Sequence, residues 1–237
     1  MSNASSADAP RAAAIVVAGG SGRRMGGAVR KQYLEVGGIP VLQRAVTPFI
    51  AHARISVIVV VLPPEDVEAP PAWLAGLPVA IVAGGAERGD SVWNGLLATP
   101  EDAPTVLVHD GARPFVTAEI IGRVLDGCAE GGAIAAVQVT DTIKEVGPGG
   151  VILGTPDRSR LWSAQTPQGF PRAALVRAYE RAREEGVAAT DDAALFERYC
   201  GPVRVVAGSE RNLKVTRPAD LAVAEALALA GHGAAGE

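Results

Sequence analysis

Cysteine is scarce: only Cys128 and Cys200 occur in 237 residues, far apart and without metal-ligand spacing. That argues against a disulfide-built scaffold and a cysteine zinc site, and reads as reduced thiols in a cytoplasmic protein. No run of about 18 apolar residues occurs, so no stretch has the length of a membrane-spanning helix. The opening MSNASSADAPR lacks the cationic start and apolar core of an export signal. Positive charge is not in excess either. The 22 Lys and Arg against 26 Asp and Glu give a net charge of −4, which argues against general nucleic-acid or membrane-surface binding. No internal repeat or low-complexity linker divides the chain, and 48% hydrophobic residues over this length suit one large domain. We place that domain at residues 12–230, with small-residue tails at 1–11 and 231–237 expected to be disordered.

What the chain does have is a series of apolar runs rich in β-branched residues: AAAIVVA, ISVIVVVL, VAIVAG, TVLVHD, AIAAVQV and VRVVAG. Most do not alternate with polar residues, as expected of strands covered on both faces of a mostly parallel sheet. Helical stretches separate them: PVLQRAVTPFIAHA, ERGDSVWNGLLAT, AEIIGRVLDGCAE, PRAALVRAYERAREEG, DDAALFERYC and RPADLAVAEALALA. The alternation predicts an α/β fold with helices on both faces of a twisted sheet. One region breaks the rhythm. Around GPGG, two short strand-like pieces predict a projecting β-hairpin arm over about residues 139–165.

The first apolar run ends in glycines and then in cations. From Ala9 to Leu34 there are Arg11, Arg23, Arg24, Arg30 and Lys31 and no acidic residue. In an open α/β sheet, a loop after the first strand sits where ligands bind. It is not a P-loop, because no glycine is followed by Lys and then Ser or Thr. As a dinucleotide loop it is a weak match, because Met25 stands where the third glycine belongs and Glu35 comes too early for the ribose acid. What remains is glycine backbone that can approach phosphate oxygens, with Arg24 and Lys31 beside it, which suits a triphosphate. A turn followed by a solvated basic helix face is the plainer alternative.

Three later segments add to the first. VLVHDGARPF places Asp110 just past a buried strand, where one carboxylate can help hold Mg²⁺ whose other ligands are phosphate oxygens and water. Asp110 could equally cap a turn, and His109 reads as structural. ERGDSV puts Ser91 early in a helix after AGGA, where it or Asp90 would also serve as a cap. NLKVTRP brings Lys214 off a last strand, with Thr216 and Pro218 marking a helix start.

In order along the chain, AGGSGRRM, KQYL, ERGDSV, VHDGARP, DTIK, LWSAQTPQGF, TDDA and NLKVTRP resemble the 2-C-methyl-D-erythritol 4-phosphate cytidylyltransferases of the non-mevalonate isoprenoid pathway. The resemblance covers nearly the whole chain between the tails. It implies a Rossmann-like nucleotide-diphospho-sugar transferase fold, and transfer of CMP from CTP to a methylerythritol phosphate with release of pyrophosphate. It also implies a homodimer made by the arm. By motif position, Arg24, Lys31 and Lys214 would act on the reacting phosphates, and Ala18, Gly19, Gly20, Gly22, Gly85, Ala86 and Ser91 would hold the nucleotide. Asp110, Arg113, Thr142, Arg158, Thr166 and Thr190 would bind the acceptor, with Thr142 and Arg158 reaching the neighbouring subunit's site and Asp110 also placing Mg²⁺.

The chain departs from the family's frequent pattern in having Gly19 after Ala18 and Arg30 before the lysine, changes that remove no catalytic group. Ribitol-5-phosphate cytidylyltransferases share much of the motif set, and a nucleotide-binding regulator without turnover is an alternative of another class. Intact Arg24, Lys31, Asp110 and Lys214 argue against that regulator.

Overall fold

The computed structural model describes residues 12–20 and 30–233. In chain order the first half comprises β1 (Ala12–Val17), β2 (Glu35–Val36), β3 (Ile39–Pro40), α1 (Val41–Ala51), β4 (Ile55–Leu62), the single-turn α2 (Pro64–Val67) and α3 (Ala72–Ala75), β5 (Ala80–Ala83), α4 (Arg88–Leu97) and β6 (Thr105–Asp110). The second half continues with α5 (Ala118–Gly127), β7 (Gly132–Gln138), β8 (Glu145–Val146), β9 (Ile152–Gly154), β10 (Trp162–Pro171), α6 (Arg172–Glu184), α7 (Asp192–Tyr199), β11 (Val203–Ala207) and α8 (Pro218–Gly233). Helix α8 thus runs past residue 230, where the sequence suggested a tail.

Seven strands form one sheet in the order β11-β7-β10-β6-β1-β4-β5. Every pairing is parallel except those of β10 with its two neighbours. All six apolar runs become strands. Their side chains alternate across the sheet: Ala14 and Val16 point into one core with Leu42, Phe49 and Ile121, and Ile15 points into the other with Val92, Leu96 and Leu175. Helices α1 and α5 therefore cover one face, and α4, α6 and α7 the other. A wholly buried Leu42 or Ile121 contributes roughly 1.5–3 kcal/mol relative to exposure, so continuous runs without polar interruption are what this doubly covered sheet requires. A third, smaller core lies where α8 packs its Ala224 and Ala228 with Val36, Val41 and Val215.

The seventh strand, β10, was not legible as a strand. WSAQTPQGFP holds two prolines and few β-branched residues, yet residues 165–170 of it are buried in mid-sheet. The Thr166–Pro167 bond is cis, and the register against β7 shifts between Ala164 and Gln168, where Pro167 has no N–H to donate. The buried polar side chains are committed. Gln168 Nε2 donates to Asp191 at 2.8 Å and its Oε1 accepts from Ala193 N at 3.0 Å, fastening the start of α7 to the sheet.

Between β7 and β10 the arm leaves the sheet as expected, with β8 and β9 paired antiparallel. Its turn needs left-handed backbone, which Gly149 (φ 73°) and Gly150 (φ 79°) supply. The base is tied by Val139 N to Leu161 O at 3.0 Å and by Arg158 to Thr140 O at 2.7 Å. Residues 162–165, counted with the arm from sequence, instead belong to β10, where Trp162 to Ala164 pair with β7. Among the described residues no helix is long and apolar enough to cross a membrane.

The strand order fixes where a ligand can sit. From β1 the chain builds outward through β4 and β5, then crosses back to place β6 on the other side of β1. This reversal opens a crevice at the carboxyl ends of β1 and β6, and Val17 stands opposite Asp110 in the register of that pair.

Candidate active site

A cavity of about 540 Å³ occupies this crevice. Ala18, Gly19 and Gly20 line one side and Gly85, Ala86 and Ser91 another, while Lys31, Asp110 and Lys214 also face it. The two glycine walls meet because they carry no side chains. A Cβ on Gly19 would lie 3.1 Å from Ser91 Oγ, and one on Gly84 would lie 3.5 Å from Gly19 Cα. Ser91 Oγ accepts from Gly85 N and donates to Glu87 O, each at 3.1 Å, so the buried hydroxyl shapes the wall. Capping is shared by Glu87 and Asp90 in a capping box: Glu87 is the N-cap, Asp90 accepts from Glu87 N at 3.2 Å, and the Glu87 side chain accepts from Asp90 N.

Asp110 stands at the centre of a cation cluster. Lys214 Nζ lies 2.7 Å from Oδ2, Arg88 Nε 3.3 Å from Oδ1, and Arg113 Nε 3.9 Å from Oδ2. Burial alone would raise the carboxyl's pKa, but the charges of Arg88, Lys214 and Arg113 outweigh it and hold Asp110 well below the usual carboxylate range. Asp110 is thus ionised at any pH where the fold is useful.

The loop that carries Lys214 is built to reach it. Val215 N donates to Ala112 O at 2.8 Å, and Arg113 donates to Asn212 O at 2.7 Å. Asn212 is wholly buried and donates to Thr166 O at 2.9 Å and to Gln165 Oε1 at 3.2 Å. The sequence segments holding Asp110, Thr166 and Lys214 are therefore one hydrogen-bonded unit. At its centre, Thr166 Oγ1 accepts from Asp110 N at 3.0 Å and, by donating its own proton, bonds His109 Nδ1 at 3.0 Å. That arrangement requires the neutral tautomer protonated at Nε2, which faces Arg113 O at 3.3 Å.

The reading of His109 as structural stands on this network. Its burial pushes the imidazole pKa down from 6.5 to about 4, against the opposing pull of Asp110. The unfolded chain takes up a proton as pH falls through about 6.5, whereas the folded chain resists until about 4. The stabilisation is therefore complete above the first value and is lost between the two. His109→Gln is expected to flatten the pH dependence of unfolding free energy across that window by roughly one proton, measured by denaturant unfolding without ligands. An unchanged slope would show that His109 does not titrate this way.

Of the other expected site residues, Lys31 begins a 3-10 turn (Lys31–Tyr33), and its Nζ donates to Val215 O at 3.4 Å, next to Lys214. Arg30 does not add free charge to the cavity, because it pairs with Glu65 and, at 3.2 Å, with Asp66. Arg113 and Thr166 stand beside Asp110. Thr142 and Arg158 lie exposed on the arm and do not line the cavity of their own chain. Thr190 is exposed, next to the Asp191 that caps α7 through Ala194 N at 3.0 Å. Gly22 and Arg24 lie outside the described residues, as do residues 1–11 and 234–237.

Arg88 has no role that is readable from sequence, although it lies within ERGDSV. In the fold it joins Asp110 to Asp192, 2.8 Å from its NH2. Only the meeting of three elements in space reveals this, since β6, α4 and α7 are far apart in the chain. A second cavity of about 200 Å³ lies beyond Arg88, between α4 and α6, and neither lysine nor Asp110 faces it.

The sequence profile of one family, IspD, 2-C-methyl-D-erythritol 4-phosphate cytidylyltransferase, matches residues 12–229. The chain belongs to this family. It is 49% identical to the 2-C-methyl-D-erythritol 4-phosphate cytidylyltransferase of Symbiobacterium thermophilum over 90% of this chain and 91% of that protein. The enzyme of the same name from Syntrophus aciditrophicus is 46% identical over 92% of this chain and 95% of its own length. Among solved structures, the 2-C-methyl-D-erythritol 4-phosphate cytidylyltransferase of Thermus thermophilus superposes with a TM-score of 0.78 at 35% identity, covering 93% of this chain and 99% of that one. The cytidylyltransferase family thus accounts for the α/β architecture as well as for the ordered motifs, of which the first glycine loop, KQYL, ERGDSV, VHDGARP and NLKVTRP contribute residues to the wall of the 540 Å³ cavity.

Proposed function

We propose that the chain transfers CMP from CTP to 2-C-methyl-D-erythritol 4-phosphate, giving 4-diphosphocytidyl-2-C-methyl-D-erythritol and pyrophosphate in isoprenoid precursor biosynthesis. It is a nucleotidyltransferase of the family named above. The observation that carries the reading is that Lys31, Lys214 and two glycine walls face one cavity in a chain of this family. The cytidine end takes the side of Gly85, Ala86 and Ser91, and the triphosphate lies along Ala18 to Gly20 toward the lysines.

The acceptor is a phosphate monoester, already ionised near neutral pH. Its oxygen bonds to the α-phosphorus, the bond from that phosphorus to the bridging oxygen of the β-phosphate breaks, and the electron pair leaves with pyrophosphate. No strong general base is needed. Mutual repulsion of anions is the obstacle, and Lys31, Lys214 and, by family position, Arg24 offset it. Arg113, Thr166 and Thr190 frame the acceptor side.

Mg²⁺ fits this site in a limited sense. Among the described residues no three His, Cys, Asp or Glu side chains gather to hold a metal. A single carboxylate suffices when phosphates and water complete the shell, and Asp110 is ionised at the cavity edge with lone pairs beyond its cation contacts. When bound there with CTP, the ion would neutralise phosphate charge.

The active form is proposed to be a homodimer in the cytoplasm. Ile143, Val146, Val151, Ile152, Leu153 and Trp162 are 39–65% exposed on and beside the arm, a patch suited to a second copy of the chain. Its docking would bring Thr142 and Arg158 to the partner's acceptor.

The test is pyrophosphate release with CTP, Mg²⁺ and methylerythritol phosphate, run beside ribitol 5-phosphate and a no-acceptor control. Release with methylerythritol phosphate alone is expected. Release with ribitol 5-phosphate alone would move the acceptor, and release with neither would leave only nucleotide binding.

A further inference from the structure

Asp110 has three cationic neighbours, and they differ in how they are held. Lys214 is the nearest, at 2.7 Å, but its side chain is 38% exposed. Arg113 keeps its Nε 3.9 Å away and commits its NH1 to Asn212 O. Arg88 is gripped at its far end. Its NH2 lies 2.8 Å from Asp192, whose side chain is wholly buried and whose other oxygen accepts from the Tyr179 hydroxyl. Two carboxylates thus face three cations, and the surplus cation is the lysine, the most exposed of the three.

We propose that Arg88 is a positioning residue that lets Lys214 leave Asp110 for the substrate phosphates. The inference rests on the cytidylyltransferase reading and adds a residue to it. A carboxylate whose side chain is only 11% exposed cannot lose its nearest cation unless another stays. Arg88 stays because Asp192, fixed by Tyr179 on α6 and by its own place at the start of α7, holds the guanidinium fork. Removing Arg88 leaves Asp110 only the longer contact with Arg113, at 3.9 Å, should the lysine depart, so Asp110 retains Lys214 and the lysine reaches the triphosphate less often. Lysine at position 88 would keep a charge but could not span both carboxylates with one fork.

The experiment measures kcat and KM for wild type, Arg88→Met, Arg88→Lys, Lys214→Met and the double variant Arg88→Met/Lys214→Met, with thermal unfolding of each. Arg88→Met is expected to lose ~10²-fold in kcat with a smaller change in KM for CTP, since a misplaced catalytic group can cost that much. Arg88→Lys should recover part of the loss. The decisive comparison is the double variant, which should be no slower than Lys214→Met, because with the lysine gone there is nothing to release. If Arg88→Met fails to fold, Asp192→Asn keeps the volume and loosens the same fork. It should then slow wild type but not Lys214→Met. Multiplicative losses, or an Arg88→Met variant of normal kcat, would overturn the proposal and leave the functional reading intact. An inactive wild type would overturn both.

Discussion

Lys31→Ala is expected to lower kcat by ~10²–10³-fold while CTP affinity changes far less, which corresponds to ~2.7–4 kcal/mol of transition-state stabilisation. Lys31 faces the cavity from a short 3-10 turn whose neighbours are fixed: Gln32 is buried and donates to Ala18 O at 2.9 Å, and Tyr33 donates to Asp66 at 2.7 Å. The ammonium is therefore delivered to the end of the glycine loop by a rigid turn. In the proposed reaction its charge would matter most when negative charge builds up on the five-coordinate α-phosphorus. In the ground state the triphosphate is also neutralised by other cations, so one lysine is partly redundant for binding. Steady-state kinetics beside equilibrium CTP binding separates the two. Equal losses in kcat/KM and affinity, with kcat unchanged, would make Lys31 a ground-state anchor.

The residues that were readable in sequence are those whose chemistry is local. Ile58 to Leu62 are buried in a strand because an unbroken apolar run has no other comfortable place in a doubly covered sheet, and Gly19 marks the close approach of its backbone to the Gly84–Ser91 wall. The hairpin around Gly149 and Gly150 was legible for the same reason, since its turn demands left-handed backbone.

β10 was hidden because its stability is not local. The polar side chains of Gln165, Thr166 and Gln168 would be costly to bury alone, and they are acceptable in mid-sheet only because Asn212, Ser209, His109 and Asp191 satisfy them from remote segments. The same physics hid Arg88. An arginine at the first turn of a helix looks like a solvated cation until the fold brings two carboxylates to it. Arg30 shows the converse, a cation in the basic cluster whose charge is consumed by Glu65 and Asp66. Motif order could name the cavity's walls, but it could not say which charges were already spoken for.

Replacing Ile152 and Leu153 on the arm by aspartate is expected to give a folded monomer with activity per chain lowered by ~10²-fold or more, as expected when positioning groups are withdrawn. Both side chains are well exposed, at 58% and 65%, so the chain's own core does not depend on them. In the proposed dimer this apolar patch is covered by a second copy, whereas two new carboxylates facing their symmetry mates would repel. Sedimentation reads the assembly and pyrophosphate release reads the activity. A fully active monomer would remove the arm from catalysis. Mixing variants tests the sharing directly. Arg158→Ala damages the arm's contribution and Lys31→Ala damages the cavity, so each homodimer is impaired at both sites. In a mixed dimer, one site combines an intact Lys31 cavity with an intact Arg158 from the other chain. Random pairing makes half the dimers mixed, so about a quarter of wild-type activity should return on subunit exchange. No recovery, with exchange verified, would mean that Arg158 serves its own chain.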